Sequence, residues 1–311
     1  MKKITKYDSL KIIFALKNRE SYVKKYLKNI KKDSMNYDLL ILIENKKKIK
    51  IAKQKNIFQI QIKGKVKGMN SIFCNIYRFK NFIKNYKYVC FVEDDNFIFN
   101  KGLKACESFL NQNPTYVGCN GKSFLFEKSK NKAHLLNSYI SPRFDHASVI
   151  ERLKKYNQLM GLVYYSLIRV NIFLKICKKI NQINDDNLSE IYFNYLLIIF
   201  GKLKNLNILY LARIYPRPKI YNIPKLDIWL KNNSLNKEIF FISNDIRKEL
   251  KQKLNKFNRE NFLKESVFKY LSIRTNPQNK KINFLSKVKL KIDYYFLLCN
   301  FSCINFIKNQ S

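Results

Sequence analysis

The chain has 311 residues, 46% of them hydrophobic, so it can bury a sizeable core, and global disorder is excluded. Glycine and proline number only 7 and 6, which leaves no composition for a flexible linker. Lysine and arginine outnumber the acids 61 to 22, a net charge of +39. Such a surface draws phosphates, nucleic acid and acidic lipid headgroups, yet the lysines are spread end to end among Asn, Ile, Phe and Tyr, as they are in the proteins of AT-rich genomes.

Taken in order, Leu10–Leu16 (LKIIFAL) reads as a buried strand, punctuated by Asn18, Arg19 and Ser21. Val23, Tyr26, Leu27 and Ile30 follow at helical spacing. Tyr37–Ile43 is a second strand ending in Glu44-Asn45, and Ile57–Ile62 a third, followed by a basic loop through Gly64 and Gly68. Ile72, Phe73, Ile76, Phe79 and Phe82 line one face of a helix over Ser71–Lys84. The next stretch, Tyr88–Phe99 (YVCFVEDDNFIF), joins an unbroken apolar run to Glu93, Asp94 and Asp95. An apolar run of this kind suits a strand covered on both faces, and ligands sit where such strands end in open α/β sheets. In an extended chain Glu93 and Asp95 point to one side and Asp94 to the other. Two carboxylates on one side suit a hard divalent cation holding a diphosphate; an acidic turn closing the strand is the other reading.

Beyond the acids, Leu103, Cys106, Phe109 and Leu110 mark a helix stopped by Asn113-Pro114, and Thr115–Cys119 a strand. Glu127–His146 is polar and reads as a surface loop. Val149, Leu153, Tyr156 and Met160 give a helix, Leu162–Val170 a strand, and Glu190–Phe200 a strongly apolar helix opened by Asp185-Asp186-Asn187 and closed by Gly201. Leu206–Ala212 is the last clear strand, and after Pro216 and Pro218 the pattern turns helical, with the single tryptophan, Trp229, near the start. The fold expected is α/β, a mixed sheet flanked by helices over residues 1–215, with a helical C-terminal extension over 216–311 packed on it. The end, Ile292–Ile307, reads as a core helix or an amphipathic surface segment.

Seven cysteines form no CxxC pair, most of them inside apolar runs, which points to a reducing compartment and small core residues. His134 and His146 are not at zinc-ligand spacing. The opening residues hold no apolar stretch long enough for a signal peptide, and the runs Tyr195–Phe200 and Tyr294–Cys299 fall far short of a membrane span. A cytoplasmic protein is expected.

Four stretches together resemble a known family: IIFALKNRESYVKKYL, LLILIEN, YVCFVEDDNFI and DDNLSEIYFNYLLIIFGKLKNLNILYLAR. In this order they are similar to the opening strand and helix, the second strand ending in an acid, the DxD-type strand, and the late acidic segment of the GT-A (Rossmann-like) nucleotide-sugar glycosyltransferases. The closest likeness is to the bacterial family-two-like group, over Leu10–Arg213 with a looser echo around Trp229.

The resemblance implies transfer of a sugar from a nucleotide-sugar donor to a hydroxyl of a glycan or lipid-linked acceptor. It implies metal dependence (Mn2+ or Mg2+), inversion, and a place in cell-surface polysaccharide biosynthesis, with peripheral contact to the inner face of an anionic membrane and no specific nucleic acid. Leu16, Asn18 and Arg19 would lie beside the nucleotide, and Glu44 would accept from base or ribose. Asp94 would face the ribose, Asp95 and Glu93 the metal. Glu190 would be the base, with Asp186 or Asp185 as substitutes. Glu44 and Glu93 stand where the family more usually has Asp, which lengthens both arms.

Other readings stay open at each residue. Glu190 lies three residues after Asn187, a spacing that also fits a helix-start capping arrangement, and Asn18 also fits a helix cap. Arg169 and Arg213, at strand ends, suit paired hydrogen bonds to phosphate or plain surface charge, and Asp145 and His146 suit an acceptor contact or a solvated loop. A non-catalytic basic protein of related fold that binds nucleic acid or membrane is the rival at the level of the whole chain, although the sequence has no zinc motif, RNP pattern or compact basic helix.

Overall fold

The structure, a computed structural model, describes residues 10–16, 27, 37–43, 57–62, 68–93, 96–129, 132–140, 142–159, 161, 163–215 and 233–250. Among the described residues nine strands form one mixed sheet: β1 (Leu10–Leu16), β2 (Asp38–Ile43), β3 (Ile57–Gln61), β4 (Tyr88–Glu93), β5 (Asn96–Ile98), β6 (Tyr116–Ser129), β7 (Lys132–Ile140), β8 (Leu167–Arg169) and β9 (Lys202–Tyr215). Their order is β3-β2-β1-β4-β8-β6-β9-β5, with β7 paired to β6. The described α-helices are α1 (Met69–Arg78), α2 (Asn100–Gln112), α3 (Val149–Leu159), α4 (Val170–Ile180), α5 (Asp186–Phe200) and α6 (Asn233–Leu250).

Strands β3, β2, β1 and β4 run parallel. Parallel strands need crossover helices, which cover both faces, and that is why β2 is buried throughout and β4 up to Val92. On one face Phe73 of α1 meets Phe91 of β4 at 5.6 Å, stacks on Phe193 of α5 at 4.7 Å and meets Phe173 of α4 edge-on at 6.4 Å. This aromatic cluster ties three helices to the sheet, in offset and edge-on geometries that aromatic pairs favour. On the other face α2 buries Leu103, Cys106 and Leu110, and Tyr88 of β4 donates to Asn111 at 2.9 Å.

Helix α5 is largely apolar and buried all round from Leu188 to Ile198, the signature of a helix enclosed by others. The last described helix, α6, closes over it with Ile239, Ile242, Ile246 and Leu250 buried. Asp245 of α6 accepts from Lys179 at 2.6 and 2.7 Å and from the Tyr192 hydroxyl at 2.5 Å. The remainder of 216–311 lies outside the described residues, as does the segment read as a first helix, apart from Leu27, which is helical and buried.

Two segments differ from the sequence reading. Most of the segment read as a loop over Glu127–His146 is strand: β6 runs on to Ser129 and β7 pairs antiparallel with it, whereas 142–146 are irregular apart from a single bridge between Phe144 and Leu203. Long parallel pairing with β9 on its other side, interrupted by register shifts between Tyr116 and Ser123, gives β6 backbone partners whatever its side chains. Leu162–Val170 is not one strand. Val163–Tyr165 form a 3-10 turn, β8 keeps three residues, and α4 begins at Val170. Its buried residues Val170, Phe173, Ile176, Cys177 and Ile180 have helical spacing, which the β-branched and aromatic start of the segment hid.

Candidate active site at the edge of the parallel strands

Register brings the ends of the parallel strands to one edge. Leu16 stands beside Ile43, Ala15 beside Glu93, and Ile43 beside Gln61. Leu16 and Glu93 therefore share the carboxyl edge of the sheet, where ligands bind in open α/β folds. Ile43, the residue before Glu44, ends there too. Asn18, Arg19, Glu44, Asp94 and Asp95 themselves lie outside the described residues.

A second part of the sheet continues past this edge. Cys90 and Cys119 are level across β8, both opposite Leu167. β4 ends at Glu93, whereas β6 extends to Ser129, flanked by β7 and by β9, and β9 in turn carries β5. Glu93 and Asn96, which bracket Asp94 and Asp95 in sequence, thus belong to these two parts of the sheet.

Glu93 is partly exposed and anchored from below. Its Oε2 accepts a hydrogen bond from the Tyr165 hydroxyl. The Tyr165 oxygen in turn accepts from Asn96 Nδ2 at 3.2 Å. Arg213, paired with Asn96 across β5 and β9, places its guanidinium 4.9 Å from the Tyr165 ring centre, a cation–π distance. Burial pushes the Tyr165 phenol well above its ordinary value; the Arg213 charge opposes this and Glu93 adds to it. The hydroxyl stays protonated and acts as a donor. Neither Tyr165 nor Asn96 carries a signal in the sequence: Tyr165 sits in an apolar run, and Asn96 reads as the tail of the acidic turn.

The late acidic segment separates into distinct roles. Asp185 caps α5, accepting from the Leu188 N–H at 2.8 Å. Glu190 therefore stands beyond the first turn and does not cap the helix; it is 2% exposed. Asp186 reaches out of its own helix to α1, where its Oδ1 accepts from the Asn70 N–H at 3.0 Å. Its carboxylate caps the start of α1, which favours negative charge. The turn before α5 is gripped from the other side by Glu238 of α6, which accepts from the N–H groups of Asn184 and Asp185, each at 3.1 Å. Because α1 follows β3, its start lies toward the same carboxyl edge, and α5 begins beside it. Further along, α5 packs on the 3-10 turn that carries Tyr165.

Arg169 is not at this edge. It pairs with Tyr88, the first residue of β4, and its guanidinium donates to the carbonyls of Tyr116 at 2.8 Å, Leu110 at 2.7 Å and Asn113 at 3.2 Å. These bonds close the end of α2, so the phosphate role suggested by its strand-end position is corrected to a structural one. Asp145 lies 3.9 Å from Lys204, and the exposed His146 accepts from the Ser148 N–H at 3.1 Å.

Among the described residues no group of three or more His, Cys, Asp or Glu is placed to hold a metal ion. Glu93 alone of the expected ligands is described. Its character fits a hard cation: a carboxylate at the strand end, held by a neutral phenol. Among the described residues, no helix is long and apolar enough to cross a membrane. The described cysteines are free thiols, four buried and Cys74 partly so.

No protein-family model and no curated protein sequence matches the chain. Solved structures do. The chain is similar to residues 1–349 of TarS from S. aureus, with a TM-score of 0.51 and 12% identity, covering 96% of this chain and 81% of that one. A second TarS structure gives a TM-score of 0.53 and 13% identity over 89% of this chain, which spans 46% of that longer one. At this identity the likeness speaks to the fold alone, which is of the GT-A type: a mixed α/β sheet flanked by helices.

Proposed function

We propose that this protein is a glycosyltransferase that moves a sugar, with inversion, from a nucleotide-sugar donor to a hydroxyl of a glycan or lipid-linked acceptor. The observation that carries the reading is the shared edge: Leu16, Ile43 and Glu93 end their parallel strands together, and the strand extension rises beside them. Leu16, Asn18 and Arg19 would border the nucleotide, Glu44 would accept from base or ribose, and Asp94 would face the ribose. Glu93 and Asp95 would hold a divalent cation, Mn2+ or Mg2+, whose charge offsets that of the departing diphosphate. The net charge of +39 supports work at the inner face of an anionic membrane, on acceptors bound for the cell surface.

In the reaction the acceptor oxygen attacks the anomeric carbon, and the carbon–oxygen bond to the diphosphate breaks, its electron pair leaving with the nucleotide. Glu190 takes the acceptor proton. The engagement of Asp185 and Asp186 in helix-capping bonds supports Glu190 over them as the base in this segment. General-base assistance contributes about 10²–10⁴-fold.

A thermal-shift screen of nucleoside diphosphates and sugar nucleotides, with and without Mn2+, identifies the donor. A ligand at about 100 times its Kd adds about 2.7 kcal/mol. With that donor, Glu190→Gln is expected to lower kcat by about 10²–10⁴-fold and leave the thermal shift intact. Wild-type turnover in the variant removes Glu190 from the mechanism, and a screen with no stabilising nucleotide removes the donor reading altogether.

A further inference from the structure

We propose that Tyr165 is a positioning residue for Glu93: its hydroxyl, oriented by Asn96, holds the Glu93 carboxylate in one pose at the strand edge for cation binding. The inference rests on the reading of Glu93 as a cation ligand given above.

The relay has a fixed direction. An amide nitrogen only donates, so the Tyr165 oxygen accepts from Asn96 Nδ2 and sends its own proton to Glu93 Oε2. A carboxylate that accepts from this hydroxyl has one oxygen pinned. The support beneath it is rigid. Tyr165 is 2% exposed, lies 4.2 Å from the Tyr164 ring and 6.4 Å from that of Phe91, and carries Arg213 over its face. Its backbone carbonyl accepts from Tyr210 at 2.8 Å. Asn96 is 1% exposed and held by the β5–β9 pairing.

Such a support answers a question raised by the residue itself. Glutamate has one more rotatable bond than aspartate, so a free Glu93 spends part of its time in poses that hold no ion. Ordering a long polar side chain costs rotamer entropy. The Tyr165 bond takes this cost at folding, before any ion arrives. A partner that orients a ligating carboxylate typically changes metal affinity 10–100-fold when removed.

The test measures binding of Mn2+ alone, from the resonance of the free ion, to wild type and to Tyr165→Phe. Phenylalanine keeps the ring contacts and deletes the donor. The expected result is about 10–100-fold weaker Mn2+ binding by a chain that still unfolds in one cooperative urea transition, at a lower midpoint because the bond to Glu93 is gone and Asn96 loses its acceptor. In a Glu93→Gln background the same change should have no further effect on Mn2+. Equal Mn2+ affinity in wild type and Tyr165→Phe overturns the positioning role while leaving Glu93 as a ligand. Equal affinity in wild type and Glu93→Gln overturns the ligand reading and the inference with it. Should Tyr165→Phe fail to fold, Asn96→Ala removes only the first donor of the relay; several-fold weaker Mn2+ binding supports the proposal and an unchanged value overturns it.

Discussion

At Gly68 a single added methyl group would meet a helix-capping carboxylate. The glycine precedes α1 with φ −175° and ψ −161°, extended backbone open to any residue, so backbone strain is not at stake. Space is. A Cβ there would lie 1.9 Å from Asp186 Oδ2, 2.1 Å from its Cγ and 2.3 Å from Oδ1, and the carboxylate would have to leave the Asn70 N–H that it caps at 3.0 Å. Losing a charged hydrogen bond costs about 1.5–3 kcal/mol, and losing a negative charge at a helix start about 0.3–1 kcal/mol more. Stiffening the unfolded chain by Gly→Ala returns about 0.4–1 kcal/mol. The net expectation for Gly68→Ala is a loss of about 1–3 kcal/mol, read as a lower urea midpoint at constant slope. In an Asp186→Ala background the same change should be neutral or slightly stabilising, because the obstacle is gone. Wild-type stability in the single variant, or an equal loss in both backgrounds, refutes the reasoning.

Two further outcomes follow from buried groups. Arg152 is 5% exposed and donates to the carbonyls of Ile198 at 3.1 Å, His146 at 2.7 Å and Ala147 at 3.0 Å; Arg152→Met should lower unfolding free energy by about 2–4 kcal/mol, and full rescue by Arg152→Lys in the same urea titration would contradict the forked geometry. Burial pushes the Cys90 thiol up to about 12, against a weaker lowering by Tyr210, and raises Cys106 and Cys177 well above the ordinary thiol range. A raised folded value means that the stability is fully present below the unfolded value and is lost as pH climbs toward the folded one. Urea unfolding from pH 7.5 to 10.5 should therefore show stability falling above about pH 9, by up to about 1.4 kcal/mol per pH unit for each thiol. Cys90→Ala should flatten that fall, and a profile already flat in wild type would refute it.

Sequence alone was enough for the parallel half of the sheet. Strands covered on both faces are apolar along nearly their whole length, so LKIIFAL, DLLILI and YVCFV are legible as runs, and the acids that end the last of them mark a change of environment. The same local logic identified the apolar helix before Gly201. It failed where neighbours outweigh local pattern. The polar residues past Glu127 pair as a hairpin because β9 lies alongside, and α4 begins inside a stretch rich in strand-forming residues. Above all, sequence could not sort the carboxylates. Asp185, Asp186 and Glu190 carry one chemistry within six positions, yet one caps its own helix, one caps a helix whose capped residue, Asn70, lies 116 residues away, and one is buried. Glu93 owes its anchor to a tyrosine 72 residues further on. Periodicity and burial are written into neighbouring residues, whereas the partner of a charged group is chosen by distant segments meeting in space, and that choice belongs to the tertiary structure.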